Sequence, residues 1–224
     1  MNTRSSRADL VRHHQPKNIA KRLSDGPENS YLRDFIYGAI DGLITTFAIV
    51  AGVAGAGLSS TVVIILGLAN LLADGFSMGA SNYLGVRADS QLKEKTRRQE
   101  LEEIRLYPEG EREEVRQIFA AKGFSGEQLE DIVSTITGDR KLWVDTMLQD
   151  EHGLSLQDQN PLRSGLATFS AFVLLGALPL MPFFIGALWP GVPAIPYLWS
   201  VLLTVFGFVV VGAAKGVQVK GSAL

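Results

Sequence analysis

The chain has 224 residues, 46% of them hydrophobic, a formal net charge of −2 and no cysteine. The missing Cys excludes disulfides, thiolate metal sites and a thiol nucleophile, and the near-balanced charge gives no case for nucleic acid. The charges are segregated: they almost vanish from 35 to 86 and from 164 to 214 and crowd into 1–34 and 87–163, as in a polytopic membrane protein.

Residues 1–33 are charged throughout and precede no small-residue cleavage site, so they read as a basic tail rather than a signal peptide. A short amphipathic helix is expected around Lys17 to Leu23, and His13 and His14 read as polar residues of that tail.

From Asp34 to Gly57 the sequence is DFIYGAIDGLITTFAIVAGVAGAG, apolar or small after Asp34 except at Asp41. A bilayer core of ~30 Å needs ~20 helical residues at ~1.5 Å each, so 35–57 is a first span. A charge near its middle costs roughly 2.5–3.5 kcal/mol on insertion scales, so Asp41 needs a reason. Either it makes a helix–helix hydrogen bond, or it is a site for a cation or proton. The second reading is preferred because intramembrane carboxylates usually line pathways.

A second span at about 61–86 follows the tight Leu58-Ser59-Ser60 link. Asn70, Asp74, Ser77, Met78 and Ser81 step by three and four and share a face, while Asp41 and Thr45 form a matching pair on span one. The two stripes are expected to face each other across a narrow polar path. Carboxylate oxygen suits hard ions, and a thioether broadens a site toward softer divalent metals, although core filling is the commoner role for a single Met. Glycines four apart, such as Gly38 and Gly42 or Gly75 and Gly79, allow close helix contact.

Residues 87–163 lack any spanning run and read as a small helical domain. A helix is expected to continue from span two over Val86 to Leu106, interrupted by Pro108 and Gly110. Others are expected over Glu111 to Lys122, from about Ser125 to Thr137, and from about Asp139 to His152, ended by Gly153. Glu100 and Glu103 share a face, as do Glu111 and Glu114, and Met147 and Glu151 are four apart. A solvated surface with salt bridges to Arg105, Arg112 and Arg116 would account for single acids, including Glu102, Glu109 and Glu113. Paired carboxylates on facing helices also bind divalent metals. There is no E-x-x-H pair, and His152 stands alone on its helix, so a ferroxidase or other enzyme is not expected.

Spans three (about 164–189) and four (about 195–214) flank a Trp189-Pro190-Gly191-Val192-Pro193 turn, with Pro179 and Pro182 expected to kink span three. Trp189, Tyr197 and Trp199 suit the membrane interface. Of the 21 Lys and Arg, 7 precede span one, 12 lie between spans two and three, and 2 follow span four. The positive-inside rule then puts both termini and the insert in the cytoplasm.

The span-one motif Tyr37-Gly38-Ala39-Ile40-Asp41-Gly42-Leu43-Ile44-Thr45-Thr46-Phe47 and the span-two motif Ala73-Asp74-Gly75-Phe76-Ser77-Met78-Gly79 resemble the vacuolar iron transporter family. The insert, with its E-x-x-E pairs and late M-x-x-x-E, resembles that family's metal-binding domain, and the likeness covers roughly 31–215. It implies an intramembrane pathway of Asp41 and Met78, with Asp34 near the cytoplasmic mouth; the polar stripes read above add Thr45, Asn70 and Asp74 to the expected pathway. It also implies a cytoplasmic cluster of Glu100, Glu103, Glu111, Glu114, Met147 and Glu151 that gathers ferrous ions.

The implied activity is proton-coupled antiport of Fe²⁺, with Mn²⁺, Co²⁺ or Zn²⁺ as further cargo and H⁺ as coupling ion, by a homodimer embedded in lipid. The lack of a targeting segment fits a prokaryotic plasma membrane, and a membrane-tethered iron buffer or sensor is the alternative. Leu148 stands where plant members often have a second Met. The family usually has five spans, and Leu224 follows span four closely, so a fifth helix is either truncated or absent. The expected organisation is tail 1–33, hairpin 34–86, helical domain 87–163, hairpin 164–215 and tail 216–224, all α-helical.

Overall fold

The computed structural model describes residues 7, 11–12, 14–25, 31–189, 192 and 195–221, without the side chains of 21–25 and 217–221. His13 and residues 190, 191 and 193 of the expected turn lie outside the described residues. The elements are α1 (Pro16–Asp25), α2 (Leu32–Gly55), α3 (Ser60–Leu106), α4 (Pro108–Ala121), α5 (Gly126–Gly138), α6 (Arg140–Thr146) running into a π-helical turn (Met147–Glu151), α7 (Pro161–Gly176), a 3₁₀ turn (Leu178–Leu180), α8 (Met181–Leu188) and α9 (Pro196–Gly221). No strand occurs among the described residues.

Two compact units result: residues 1–84 with 161–224, and residues 85–160. Among its described residues the first holds four helical stretches long and apolar enough to cross a membrane: Leu32–Gly55, a window of Ser60–Leu106, Pro161–Leu188 and Pro196–Gly216. Large apolar side chains such as Leu72, Phe76, Leu174, Phe206 and Val209 are exposed along them, the inside-out pattern that a lipid solvent requires. The chain is a polytopic helical membrane protein.

Glycine fixes the closest contact of this unit. A Cβ built on Gly38 would strike the Thr168 carbonyl, one on Gly42 the Phe172 carbonyl, and one on Gly176 would stand 2.8 Å from the Gly42 carbonyl. Thus α2 and α7 pack backbone to backbone. Gly42→Ala is expected to cost about 1–3 kcal/mol through overpacking. Gly52→Ala, where a Cβ would meet nothing within 4 Å, is expected to be neutral. Thermal unfolding of the two detergent-solubilised variants checks this.

Span three breaks where its prolines fall. The 3₁₀ turn over Leu178–Leu180 interrupts it, and the Pro179 carbonyl accepts a hydrogen bond from Ser200 Oγ on α9 at 2.7 Å. A polar backbone group freed within the apolar layer is thereby satisfied.

In the second unit, Pro108 begins α4 at its first turn instead of merely interrupting the preceding helix, and Glu109 and Glu111 join it there, where the helix dipole favours acids. Val115, Leu129, Val133, Ile136, Trp143 and Met147 form the core. Asp139 caps α6 by accepting from the backbone N–H groups of Lys141 and Leu142. The expected fourth helix is therefore not uniform, since its end winds as a π turn in which the His152 N–H reaches the Met147 carbonyl, five residues back, at 3.2 Å.

Candidate functional site

Basic side chains sort the acids of the inserted unit into two classes. Arg116 bonds Glu113 and also Glu130 at 2.8 Å, Arg105 approaches Glu102 at 3.6 Å, and Asp145 is held by Arg97 at 2.9 Å and Lys141 at 2.6 Å. Arg112 turns to the Thr137 hydroxyl, not to an acid. Among the described residues no Lys or Arg pairs with Glu100, Glu103, Glu111, Glu114 or Glu151.

These acids without a Lys or Arg partner come from three elements: α3 supplies Glu100 and Glu103, α4 supplies Glu111 and Glu114, and the π turn supplies Glu151. One carboxylate oxygen each from Glu100, Glu103 and Glu111 lie within 4.8 Å of one another, and so do ligand atoms of Glu100, Glu151 and His152. Glu100 is 2% exposed and Glu111 7%, and an oxygen of each has no hydrogen-bond partner. Buried, unpaired carboxylate oxygens are unfavourable unless a cation or proton neutralises them. Burial, reinforced by Glu114, Glu100, Glu103 and Glu151, pushes the Glu111 carboxyl up to about 7. Burial also raises Glu100, partly offset by the His152 hydrogen bond, and raises Glu114 with help from Glu151. An oxygen-rich donor set of this kind fits a divalent cation.

Two residues depart from the sequence expectation. Met147 is fully buried in the apolar core with Val115 and Trp143, and Leu148 is fully buried as well. His152, expected to stand alone, places Nε2 at 2.8 Å from Glu100 Oε1 and at 3.8 Å from a Glu151 oxygen. Its position directly after Glu151 and before Gly153 is the one signal the sequence carries for it.

In the membrane unit, the bridge between α2 and α3 bypasses the Asp41 carboxylate. Thr45 Oγ1 donates to the Asp41 backbone carbonyl at 2.9 Å, and Asn70 Nδ2 donates to Thr45 Oγ1 at 3.1 Å and Thr46 Oγ1 at 3.4 Å. The half-buried Asp41 carboxylate itself makes no hydrogen bond or ion pair among the described residues, and Asp74 is near enough to act on it electrostatically. Met78 packs at the margin of the cluster around Val50 and Phe172.

Among the described residues, Asn70 alone hydrogen-bonds across the two polar stripes, and α2 directs its small-residue face at α7. Asp74, Ser77 and Ser81 remain exposed on α3. Asp34, in the first turn of α2, is 3% exposed; Arg33 is 4.0 Å away, and one Asp34 carboxylate oxygen has no hydrogen-bond partner. Beside it Asn82 Nδ2 donates to Thr168 Oγ1 at 2.8 Å and to the Ser164 carbonyl at 3.2 Å, and Thr168 Oγ1 lies 3.3 Å from the Asp34 carbonyl. This knot of α2, α3 and α7 depends on contacts between residues 134 positions apart, which sequence periodicity does not reveal.

A family model described as the VIT family matches residues 32–224. A vacuolar iron transporter of Toxoplasma gondii is 34% identical over 194 residues, 84% of this chain and 64% of that protein. The chain thus spans just under two thirds of that relative. A vacuolar iron transporter of Centaurea cyanus is 34% identical over 189 residues, 83% of this chain and 74% of the relative. Vacuolar iron transporter 1 of Arabidopsis thaliana is 32% identical over 213 residues, 92% of this chain and 79% of the relative.

Proposed function

This chain belongs to the VIT family, and from that membership we propose that it carries Fe²⁺ out of the cytosol in exchange for protons, with Asp41 as their shared site. It acts as a transporter, not an enzyme. The observation that carries the reading is a carboxylate within an apolar helix that makes no hydrogen bond or ion pair among the described residues, while its neighbours Thr45 and Asn70 make the helix–helix bridge. Such a group costs energy unless it holds a proton or a cation, and it holds only one at a time.

The inserted unit lies on the cytoplasmic side. Glu100, Glu103, Glu111, Glu114 and Glu151 raise the local concentration of Fe²⁺ there and strip part of its hydration. Asp34 forms the mouth of the membrane pathway, Met78 supplies a thioether to it from α3, and Mn²⁺ is a second cargo through the same oxygen donors. The chain works as a homodimer: Asp74, Ser77 and Ser81 are exposed on a lipid-facing helix, and a second copy that covers them lines the pathway from its other side.

Proteoliposomes with an acidic lumen test the reading. Fe²⁺ supplied outside under anaerobic conditions is expected to accumulate inside faster than in protein-free vesicles. A tethered iron buffer would bind Fe²⁺ at the surface and move none.

A further inference from the structure

Resting on the reading of the inserted unit as a metal-gathering head, we propose that His152 is a direct nitrogen ligand of the bound ion. It turns one flank of the carboxylate cluster into a mixed imidazole–carboxylate site that selects Fe²⁺ and similar transition metals against Mg²⁺ and Ca²⁺.

The geometry carries this. His152 Nε2 lies 2.8 Å from Glu100 Oε1 and 3.8 Å from a Glu151 oxygen, and ligand atoms of the three residues fall within 4.8 Å of one another. Donor atoms around one transition-metal ion, at ~2.0–2.2 Å from it, stand about 3–3.5 Å apart, so a small outward shift admits an ion among these three.

A simple ion pair between His152 and Glu100 explains less. It leaves the second Glu100 oxygen buried without a hydrogen-bond partner, in a residue 2% exposed. It also gives no reason for Glu151 to bring a further negative oxygen to the same ring nitrogen. Glu103 and Glu111 also bring carboxylate oxygens within 4.8 Å of a Glu100 oxygen, so one imidazole does not balance the negative charge of the cluster and charge remains for a cation. The His152 side chain is 34% exposed, which leaves the ring within reach of an arriving ion.

The chemical consequence follows from donor type. Sites built from carboxylate, carbonyl and water accept Mg²⁺, Ca²⁺ and Mn²⁺ readily, whereas imidazole suits iron, zinc and their neighbours. One nitrogen among several oxygens tilts the site away from the harder ions without excluding Mn²⁺.

The composition makes the test clean, because the chain has three histidines and the other two, His13 and His14, lie in the N-terminal tail. The full-length His13→Gln/His14→Gln protein in detergent is loaded with substoichiometric Mn²⁺ and examined by pulsed EPR. Nitrogen modulation from a coordinated imidazole is expected, and it should shift to ¹⁵N frequencies when the protein is grown with ¹⁵N-histidine, a readout that needs no change at position 152. Adding His152→Gln should abolish the modulation and lower the ratio of Co²⁺ to Mg²⁺ affinity about tenfold or more. Bound Mn²⁺ without nitrogen modulation, or modulation that survives His152→Gln, overturns the ligand assignment and leaves the carboxylate head standing. Failure of Mn²⁺ and Co²⁺ to bind at all overturns the head itself, and this proposal with it.

Discussion

Asp41→Asn is expected to lower Fe²⁺ flux by on the order of a hundredfold or more while leaving the protein folded and its inserted unit able to bind metal. The two halves of that expectation have separate physical grounds. Asparagine keeps the size of aspartate but neither binds a proton nor offers negative charge to a cation, so exchange at the site stops. Folding survives because the Asp41 carboxylate makes no hydrogen bond or ion pair among the described residues, and Thr45 uses the backbone carbonyl instead. Removal of a charge from an apolar helix should even raise membrane-unit stability. Flux into acid-lumen vesicles, melting temperature and Fe²⁺ binding, measured on one preparation, separate the site from the scaffold.

Glu111→Gln is expected to weaken metal binding and at the same time stabilise the metal-free inserted unit by about 1–3 kcal/mol at neutral pH. Glu111 is 7% exposed, lacks a basic partner among the described residues and faces the charges of Glu114, Glu100, Glu103 and Glu151. Its folded-state pKa of about 7 exceeds the ordinary value of 4.5, so the folded state holds this proton more tightly than the unfolded state. The Glu111 contribution is therefore favourable below about 4.5 and is lost as pH rises toward 7. The stability advantage of Glu111→Gln over the parent should widen across that window and narrow when Mn²⁺ is added. Trp143 is the single tryptophan of the inserted unit and is buried in its core, so its fluorescence in a Trp189→Phe/Trp199→Phe background reports this unfolding. An advantage that shrinks with rising pH would contradict the picture of a strained, cation-seeking cluster.

Hydropathy made the membrane helices legible, because a bilayer imposes length and polarity on contiguous residues. The same holds for the Pro179–Pro182 break, since a missing N–H is a local property. Sorting of the acids was not legible: Arg116 neutralises Glu130 from fourteen positions away, and only the folded helices decide which glutamates keep their charge. The approach of His152 to Glu100 was not legible either, because it joins residues 52 positions apart, and α-helical spacing does not show the π turn over Met147–Glu151. The outward turn of Asp74 also escaped, because the direction of a stripe on α3 depends on how α2 and α7 meet through Gly38, Gly42 and Gly176.

Proton counterflow is the most direct measurement. Proteoliposomes carrying one dye for lumenal iron and another for lumenal pH, prepared acidic inside, receive external Fe²⁺. The account predicts that iron rises and the lumen turns alkaline in step, and that Asp41→Asn abolishes both. Iron entering with no change in lumenal pH, or entering through Asp41→Asn at the parent rate, would contradict it.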